Sequence, residues 1–350
     1  MTSFTYGFIN AKVGAMKSYL LDGVEIKSLI ESRNFDDAVA LLKNTAYAKE
    51  FAKLSSPSVV EIENVFSKTM FNDSEKLVKS IGGIPKIFLA HYAKKFEIDL
   101  LKLLLVMKSQ GEDIKEYAWI VQRMATVPMA EKLGDVETVG ELVEMLRFTK
   151  YYPILHKAVS EYEELGTVYP FITALDGYYY SGLDEIIQND VVRQRMSGRD
   201  RGIAERLMGI EIDAKNLLTV LRIRGADEKD ALNWLMPIRY KLTDSELKAA
   251  FSIEKITELP QVLTHYTGIV SAGVKEYEKT QSLFALENEF KKFILKANNR
   301  LFCGDRFHIG IPLAYMNLKE NEIRNLTAIL HGKEEGLDSS KIEETVILST

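Results

Sequence analysis

Apolar residues recur at three-to-four spacing through long stretches rich in Ala, Leu, Lys and Glu, the period of a helix buried along one face. Residues 35–54 show it: Ala38, Leu41, Leu42, Ala46, Tyr47 and Phe51 fall along one side, so the spacing predicts helix there. With eight prolines in 350 residues, interruptions are few, and the chain reads as almost entirely α-helical. Breaks are expected at Ser55-Ser56-Pro57, Gly82-Gly83-Ile84-Pro85, Thr126-Val127-Pro128, Ser197-Gly198, Met236-Pro237, Leu259-Pro260 and Gly310-Ile311-Pro312. At each, proline removes a helix donor or glycine permits a turn. No long charge block or low-complexity linker separates independent domains.

The pattern repeats on a longer scale. Glu97-Ile98, Glu211-Ile212 and Glu322-Ile323 are each followed at +11 by a base (Lys108, Arg222, Lys333) and at +14 by glycine (Gly111, Gly225, Gly336). The copies are 114 and 111 residues apart. Thr45-Ala46-Tyr47, Thr149-Lys150-Tyr151 and Thr264-His265-Tyr266 occur in the same order. Each precedes an acidic pair: Glu61 and Glu63, Glu161 and Glu163, Glu276 and Glu278. Together these markers define three similar units, 1–130, 131–247 and 248–350.

Each Glu-Ile segment is expected to form a helix of roughly fourteen residues, about 21 Å long. Its apolar +1 and +7 positions (Ile98 and Leu104, Ile212 and Leu218, Ile323 and Ile329) share the buried face. The Glu would sit at the positive end of the helix dipole, the base at the negative end, and the glycine would close the helix in the left-handed conformation. Three such units can surround a pseudo-threefold axis or stack as an open array.

Composition narrows the function. Apolar residues make up 46% and charged residues 27% of the chain, an ordinary globular balance. Forty-five bases against fifty acids give a net charge of -5, which disfavours nucleic acid as the main partner. The lone Cys303 allows no intrachain disulfide and agrees with a reducing cytoplasm. There is no signal-peptide pattern, and the most apolar stretch, 96–107, is charged and too short to span a bilayer, so no direct membrane span is expected.

Candidate chemistry is sparse. His91, His156, His265, His308 and His331 are scattered, without the helical spacing of paired metal ligands, and no phosphate-binding glycine loop or Gly-x-Ser-x-Gly is present. Asp36-Asp37 reads as a solvated helix start, and Asn72-Asp73-Ser74-Glu75 as a helix cap rather than a Mg2+ cluster. The densest basic segment is Arg193, Arg195, Arg199, Arg201 and Arg206 around the turn Ser197-Gly198. It reads either as a solvated loop balanced by Asp190, Asp200 and Glu205 or as a docking edge for an acidic partner. The run Tyr178-Tyr179-Tyr180 is either helix packing or interface.

Both ends of the chain carry longer motifs. The opening Tyr6-Gly7-Phe8-Ile9-Asn10-Ala11-Lys12-Val13-Gly14-Ala15-Met16-Lys17-Ser18, with Leu20-Leu21, resembles the start of the C/d subunit of rotary V-type and A-type ATPases. Ala314-Tyr315, Lys319-Glu320-Asn321-Glu322-Ile323-Arg324-Asn325-Leu326 and Gly332-Lys333-Glu334-Glu335-Gly336-Leu337 resemble that family's C-terminal signature. Gly14 stands where prokaryotic relatives more often carry Arg. The resemblance implies an all-α body of three similar helical units in a pseudo-threefold, funnel-shaped arrangement. It implies a non-catalytic central-stalk role at the cytoplasmic face of the membrane, linking rotor-shaft subunits of D and F type to the proteolipid ring and transmitting torque. No cofactor or metal follows from it, and a monomer is expected in isolation. The competing readings are a helical scaffold without a rotary partner and an all-helical metal-dependent enzyme, the latter disfavoured by the missing ligand pattern.

Overall fold

The computed structural model describes residues 2–55, 57–124, 130–224 and 234–348. Among them every regular element is helical. In chain order these are α1 (Thr2–Lys17), α2 (Gly23–Glu31), α3 (Phe35–Leu42), α4 (Ala48–Phe51), α5 (Val59–Lys79), α6 (Gly83–Tyr92) and α7 (Lys94–Ser109). There follow α8 (Ala118–Met124), α9 (Val139–Met145), α10 (Tyr152–Leu165), α11 (Tyr169–Gln188), α12 (Asp190–Arg195) and α13 (Gly198–Arg222). The last are α14 (Asp244–Ser252), α15 (Leu259–Val262), α16 (Thr267–Thr280), α17 (Phe284–Leu301), α18 (Gly310–Glu334) and α19 (Ser339–Thr345).

Local sequence sets many boundaries. Asp22, Ser58 and Thr243 open α2, α5 and α14 with capping boxes, in which Glu25, Glu61 and Glu246 reach back to the cap N–H. Asn34 and Thr138 cap α3 and α9 by accepting one backbone N–H each. The expected breaks fall at helix starts or between helices, except Thr126-Val127-Pro128, which lies outside the described residues.

Two expectations are corrected. Residues 35–54 do not form one helix, because a turn separates α3 from α4. Thr45 Oγ1 donates to the Leu42 carbonyl at 2.7 Å and accepts the Tyr47 N–H at 3.3 Å, a local bond that competes with helix continuation. Asn72–Glu75 is not a cap but lies inside α5, whose cap is Ser58. Ser74 Oγ there returns to the Met70 carbonyl and Asp73 accepts the Tyr315 hydroxyl at 2.7 Å, so tertiary packing carries the helix through weak formers. Asp36 and Asp37 do occupy the first turn of α3.

The chain divides into two compact units. The first comprises Met1–Ala90, Met196–Ala204 and Asn288–Thr350. Its axis is α18, buried at every position from Gly310 to Lys319 and packed by α1, α3, α5 and α19. A helix enclosed on all sides is a core helix. Leu326, Ile329 and Leu330 of α18 meet Leu29, Ala38, Leu42, Phe51 and Phe66 in one apolar cluster. Each such large side chain contributes about 1.5–3 kcal/mol by leaving water.

The N-terminus of α18 has no side-chain cap of its own. Asp200, in the first turn of α13, supplies one: its Oδ1 accepts the Ile309 N–H at 2.8 Å. Its Oδ2 accepts the Tyr6 hydroxyl at 2.9 Å and the Ser197 hydroxyl at 2.7 Å. Only 3% of Asp200 is exposed, so one buried carboxylate joins α1, α13 and α18.

The second unit comprises His91–Arg195 and Glu205–Glu287. Asp176 of α11 pairs with Lys102 of α7 and, at 3.1 Å, with Lys215 of α13. Burial pushes its carboxyl up, but the two lysines hold it below the usual value. Nearby, Glu211 lies 3.2 Å from the Tyr180 hydroxyl, 3.4 Å from that of Tyr92 and 3.8 Å from Lys95 Nζ. Tyr179 and Tyr180 are 1% exposed, which resolves those two of the tyrosine run as helix packing. His91 is also internal: Nε2–H donates to the Tyr179 carbonyl at 3.1 Å, and Lys94 Nζ donates to Nδ1 at 3.2 Å. Burial, then the Lys94 charge, lowers its pKa from 6.5 to about 4.

Two outcomes are expected. Asp200→Ala leaves a buried hydroxyl and a buried N–H unpaired and lowers unfolding free energy by about 3 kcal/mol in urea titration. His91 stays neutral in the fold while the unfolded chain protonates near 6.5, so stability falls as pH drops from 6.5 to about 4. His91→Gln keeps the donor to Tyr179 and flattens that part of the midpoint-versus-pH curve.

Candidate functional site

Among the described residues, no group of three or more His, Cys, Asp or Glu side chains is placed to hold a metal ion. What the structure does assemble is the set of repeated markers. The Glu-Ile segments lie on α7, α13 and α18, and their +1 and +7 residues are buried, Ile323 partly. Only Glu97 lies in a first turn. Glu211 and Glu322 sit in mid-helix, which corrects the expected dipole role for those two.

The carboxylates instead receive tyrosines from the Thr-x-Tyr turns. Tyr47 donates to Glu322 at 2.8 Å, and Tyr151 donates to Glu97 at 2.5 Å. Tyr266 donates at 2.9 Å to Asp213, two residues beyond Glu211. The first two turns are built identically, since Thr149 Oγ1 donates to the Leu146 carbonyl at 2.7 Å and accepts the Tyr151 N–H at 3.3 Å, as Thr45 does for Tyr47. In the third, Glu246 accepts both the N–H and the hydroxyl of Thr264, and Tyr266 takes φ 61°.

The +11 bases also reach across rather than serving only their own helix end. Lys108 Nζ donates to the Val136 carbonyl at 2.8 Å and Lys333 Nζ to the Ser32 carbonyl at 2.6 Å. Both carbonyls lie two residues before a helix cap, Thr138 or Asn34, and both caps lie thirteen residues before the tyrosine. One helix therefore grips a neighbouring segment at both ends, with a carboxylate at one and a lysine eleven residues on. This clip fixes α3 antiparallel to α18 and α9 antiparallel to α7. In the third copy the cap, Thr243, is twenty-three residues before Tyr266, and Arg222 pairs with Glu287 at 3.1 Å. Gly111 and Gly336 take φ 78° and 70°, as expected of helix-closing glycines; Gly225 lies outside the described residues.

The α18 clip is the most enclosed. Lys319 and Glu322 are 4% and 5% exposed and 2.7 Å apart. Lys319 Nζ also donates to the Tyr47 hydroxyl at 2.7 Å and lies 4.3 Å from the ring centre. Burial, then Glu322, drives the Tyr47 pKa well above its ordinary value, so the hydroxyl remains a donor. The second carboxylate oxygen accepts the Leu21 N–H. Beside them on α18, Asn321 and Asn325 both donate to the Ile347 carbonyl at 2.8 Å, fixing the chain after α19. These groups bind, orient and brace; none is arranged as a nucleophile with a base.

The arginine segment is divided. Arg193 and Arg195 are exposed on α12 in the second unit. Arg199 and Arg201 belong to the first, where Arg199 is paired with Asp305 and Arg201 is partly buried. Arg206 is exposed on α13. Sequence reasoning missed Asp200 as a shared cap and Lys319 as the partner of Glu322. The equal thirteen-residue spacing from Asn34 to Tyr47 and from Thr138 to Tyr151 was the available signal for the clip.

The profile of the ATP synthase (C/AC39) subunit family matches residues 9–345. The chain belongs to that family. It is 27% identical to the A-type ATP synthase C subunit of Methanocaldococcus jannaschii, over 98% of this chain and 86% of the relative. The C subunit of the Methanosarcina barkeri A-type ATP synthase is also 27% identical, over 98% and 93% of the two chains, and that of Thermococcus kodakarensis 27%, over 97% and 90%. In this family member the two terminal motifs lie largely on α1 and α18: Tyr6 of the first donates to Asp200, and Lys319, Glu322 and Lys333 of the second form the buried clip.

A double-mutant cycle on Tyr151→Phe and Glu97→Gln should give a coupling energy of about 1 kcal/mol in chemical denaturation. Tyr47→Phe should cost more than Tyr151→Phe, since it strips a partner from a buried Lys-Glu pair.

Proposed function

We propose that the chain is a non-catalytic central-stalk subunit of a rotary ATP synthase, joining the rotor-shaft subunits of D and F type to the proteolipid ring and transmitting torque between them. Membership of the ATP synthase (C/AC39) subunit family over residues 9–345 carries the reading. The construction is consistent with it. Torque transmission needs helices that neither slide nor rotate in their seats, because close-packed interiors transmit strain. The clips pin two long helices at points eleven residues apart, and the apolar faces between those points are buried. Among the described residues no helix is long and apolar enough to cross a membrane, so attachment in this reading is through partner subunits at the cytoplasmic face.

The arginines offer one docking edge. Arg193 and Arg195 are exposed on α12 and suit an acidic partner surface, whereas Arg199 is engaged by Asp305. The role is tested by pull-down of the tagged chain from detergent-solubilised membranes. Co-purification of rotor-shaft and proteolipid subunits is expected; isolation of the chain without them contradicts the role. Arg193→Glu with Arg195→Glu should weaken assembly about tenfold at low salt and less at high salt. Assembly equal to wild type at every salt concentration removes the arginine edge.

A further inference from the structure

The helix α1 has two faces of different character. Tyr6, Ile9 and Val13 are buried in the first unit. On the other side Phe8 is 68% exposed, and Ala11, Gly14, Ala15 and Ser18 are exposed in line with it. Tyr19, just past the helix, is 67% exposed. A side chain at Gly7 or Gly14 would meet no atom within 4 Å, so packing within the chain does not require glycine at either place. Glycine weakens a helix relative to alanine, and two of them on one helix call for a reason outside the chain.

The charges on α1 and on the segment beside it are mainly positive; Asp22, which lines a pocket with Lys17, spends its carboxylate on the cap of α2, and Lys12 Nζ donates to Ser80 Oγ at 2.9 Å. α1 carries Lys12 and Lys17 and no acid. The segment 300–307 lies along it, since Asn10 donates to the Arg306 carbonyl and Lys17 Nζ sits 5.0 Å from the Phe302 ring centre. That segment adds exposed Arg300, Arg306 and Phe307, and its one acid, Asp305, is taken by Arg199. The result is a shallow apolar strip of small residues, bounded by Phe8 and Tyr19 and edged by cations.

We propose that the outer face of α1 docks an acidic amphipathic helix from another subunit of the rotary complex; this rests on the coupling role above. A helix laid over Ala11, Gly14 and Ala15 can approach the backbone closely, with its apolar anchors held between Phe8 and Tyr19 over about three turns. Its carboxylates would meet Lys12, Lys17 and Arg306. A lipid surface suits the strip less, because insertion is driven by large apolar side chains and the centre of this face is alanine and glycine. A second copy would set cations against cations.

The test places a benzoylphenylalanine photocrosslinker at Ala15 of the full chain, assembled in cells, and identifies the partner peptide by mass spectrometry. The expected product is an Asp/Glu-bearing helical segment of another subunit of the complex. Crosslinking to lipid, to a second copy or to a segment without acids overturns the proposal. In parallel, Ala15→Trp, Ala11→Trp and Arg306→Glu should each reduce co-purification with rotor subunits at least tenfold, with unchanged circular dichroism. The Arg306→Glu loss should shrink in high salt. If wild type is retained and all three variants are retained equally, the docking face is wrong and the coupling role stands. If wild type itself is not retained, the role fails. Flotation of the purified chain with phosphatidylglycerol vesicles, abolished by Ala15→Trp, would also overturn the proposal in favour of a membrane contact.

Discussion

The structure depends on placing a tyrosine hydroxyl against a carboxylate where neither is well solvated. Such a bond contributes modestly when formed and costs heavily when half of it is missing, because the orphaned group stays buried. That asymmetry makes it a better locator than an apolar contact, which tolerates sliding. Tyr47 on Glu322 and Tyr151 on Glu97 set the register of two short helices against two long ones. The lysines at the far ends then leave those helices one position. Hydrophobic burial supplies most of the driving force, and the polar pairs select which packing it stabilises.

The helices α1 and α18, far apart in sequence, pack together in the first unit. The segment gripped by α18 is 32–47, close to 290 residues away in sequence. Asp200 adds a third distant segment by capping α18 while holding Tyr6 of α1. Long-range closure of this kind orders α1 and α18 together, and these are the segments that bear the two terminal family motifs. Much of the signature therefore has an internal explanation: Lys319, Glu322, Asn325 and Lys333 brace the unit. Phe8, Ala11, Gly14 and Ala15 are left without one.

The helical class was legible from the three-to-four apolar period, and two of the three Glu-Ile copies, those on α7 and α18, share one construction. The cap glycines Gly111 and Gly336 were also readable, because φ near 70° is a local property that sequence encodes locally. What the repeat was for could not be read. Dipole compensation is a property of one helix, whereas the observed partners of Glu322 and Lys333 are Tyr47 and the Ser32 carbonyl, which only the closed fold brings near. The 35–54 span failed for a related reason: its apolar period continues through a turn that Thr45 imposes with its own hydroxyl. The arginine segment looked like one patch along the chain, yet its members fall in two compact units and Arg199 has a partner, Asp305, that sequence distance concealed.

The proposed coupling role calls for many fixed polar groups, and this family member is rich in them. The central claim is that α18 holds the 32–47 segment through Glu322, Lys319 and Lys333 across the length of the chain. Hydrogen–deuterium exchange on Lys319→Met with Glu322→Gln measures this most directly. Amides of Ala38 to Tyr47 should exchange at least tenfold faster than in wild type while those of Val139 to Tyr151, held by the separate Glu97 clip, are unchanged. Equal protection of 38–47 in the variant and the wild type, or uniform loss across both segments, would contradict the account.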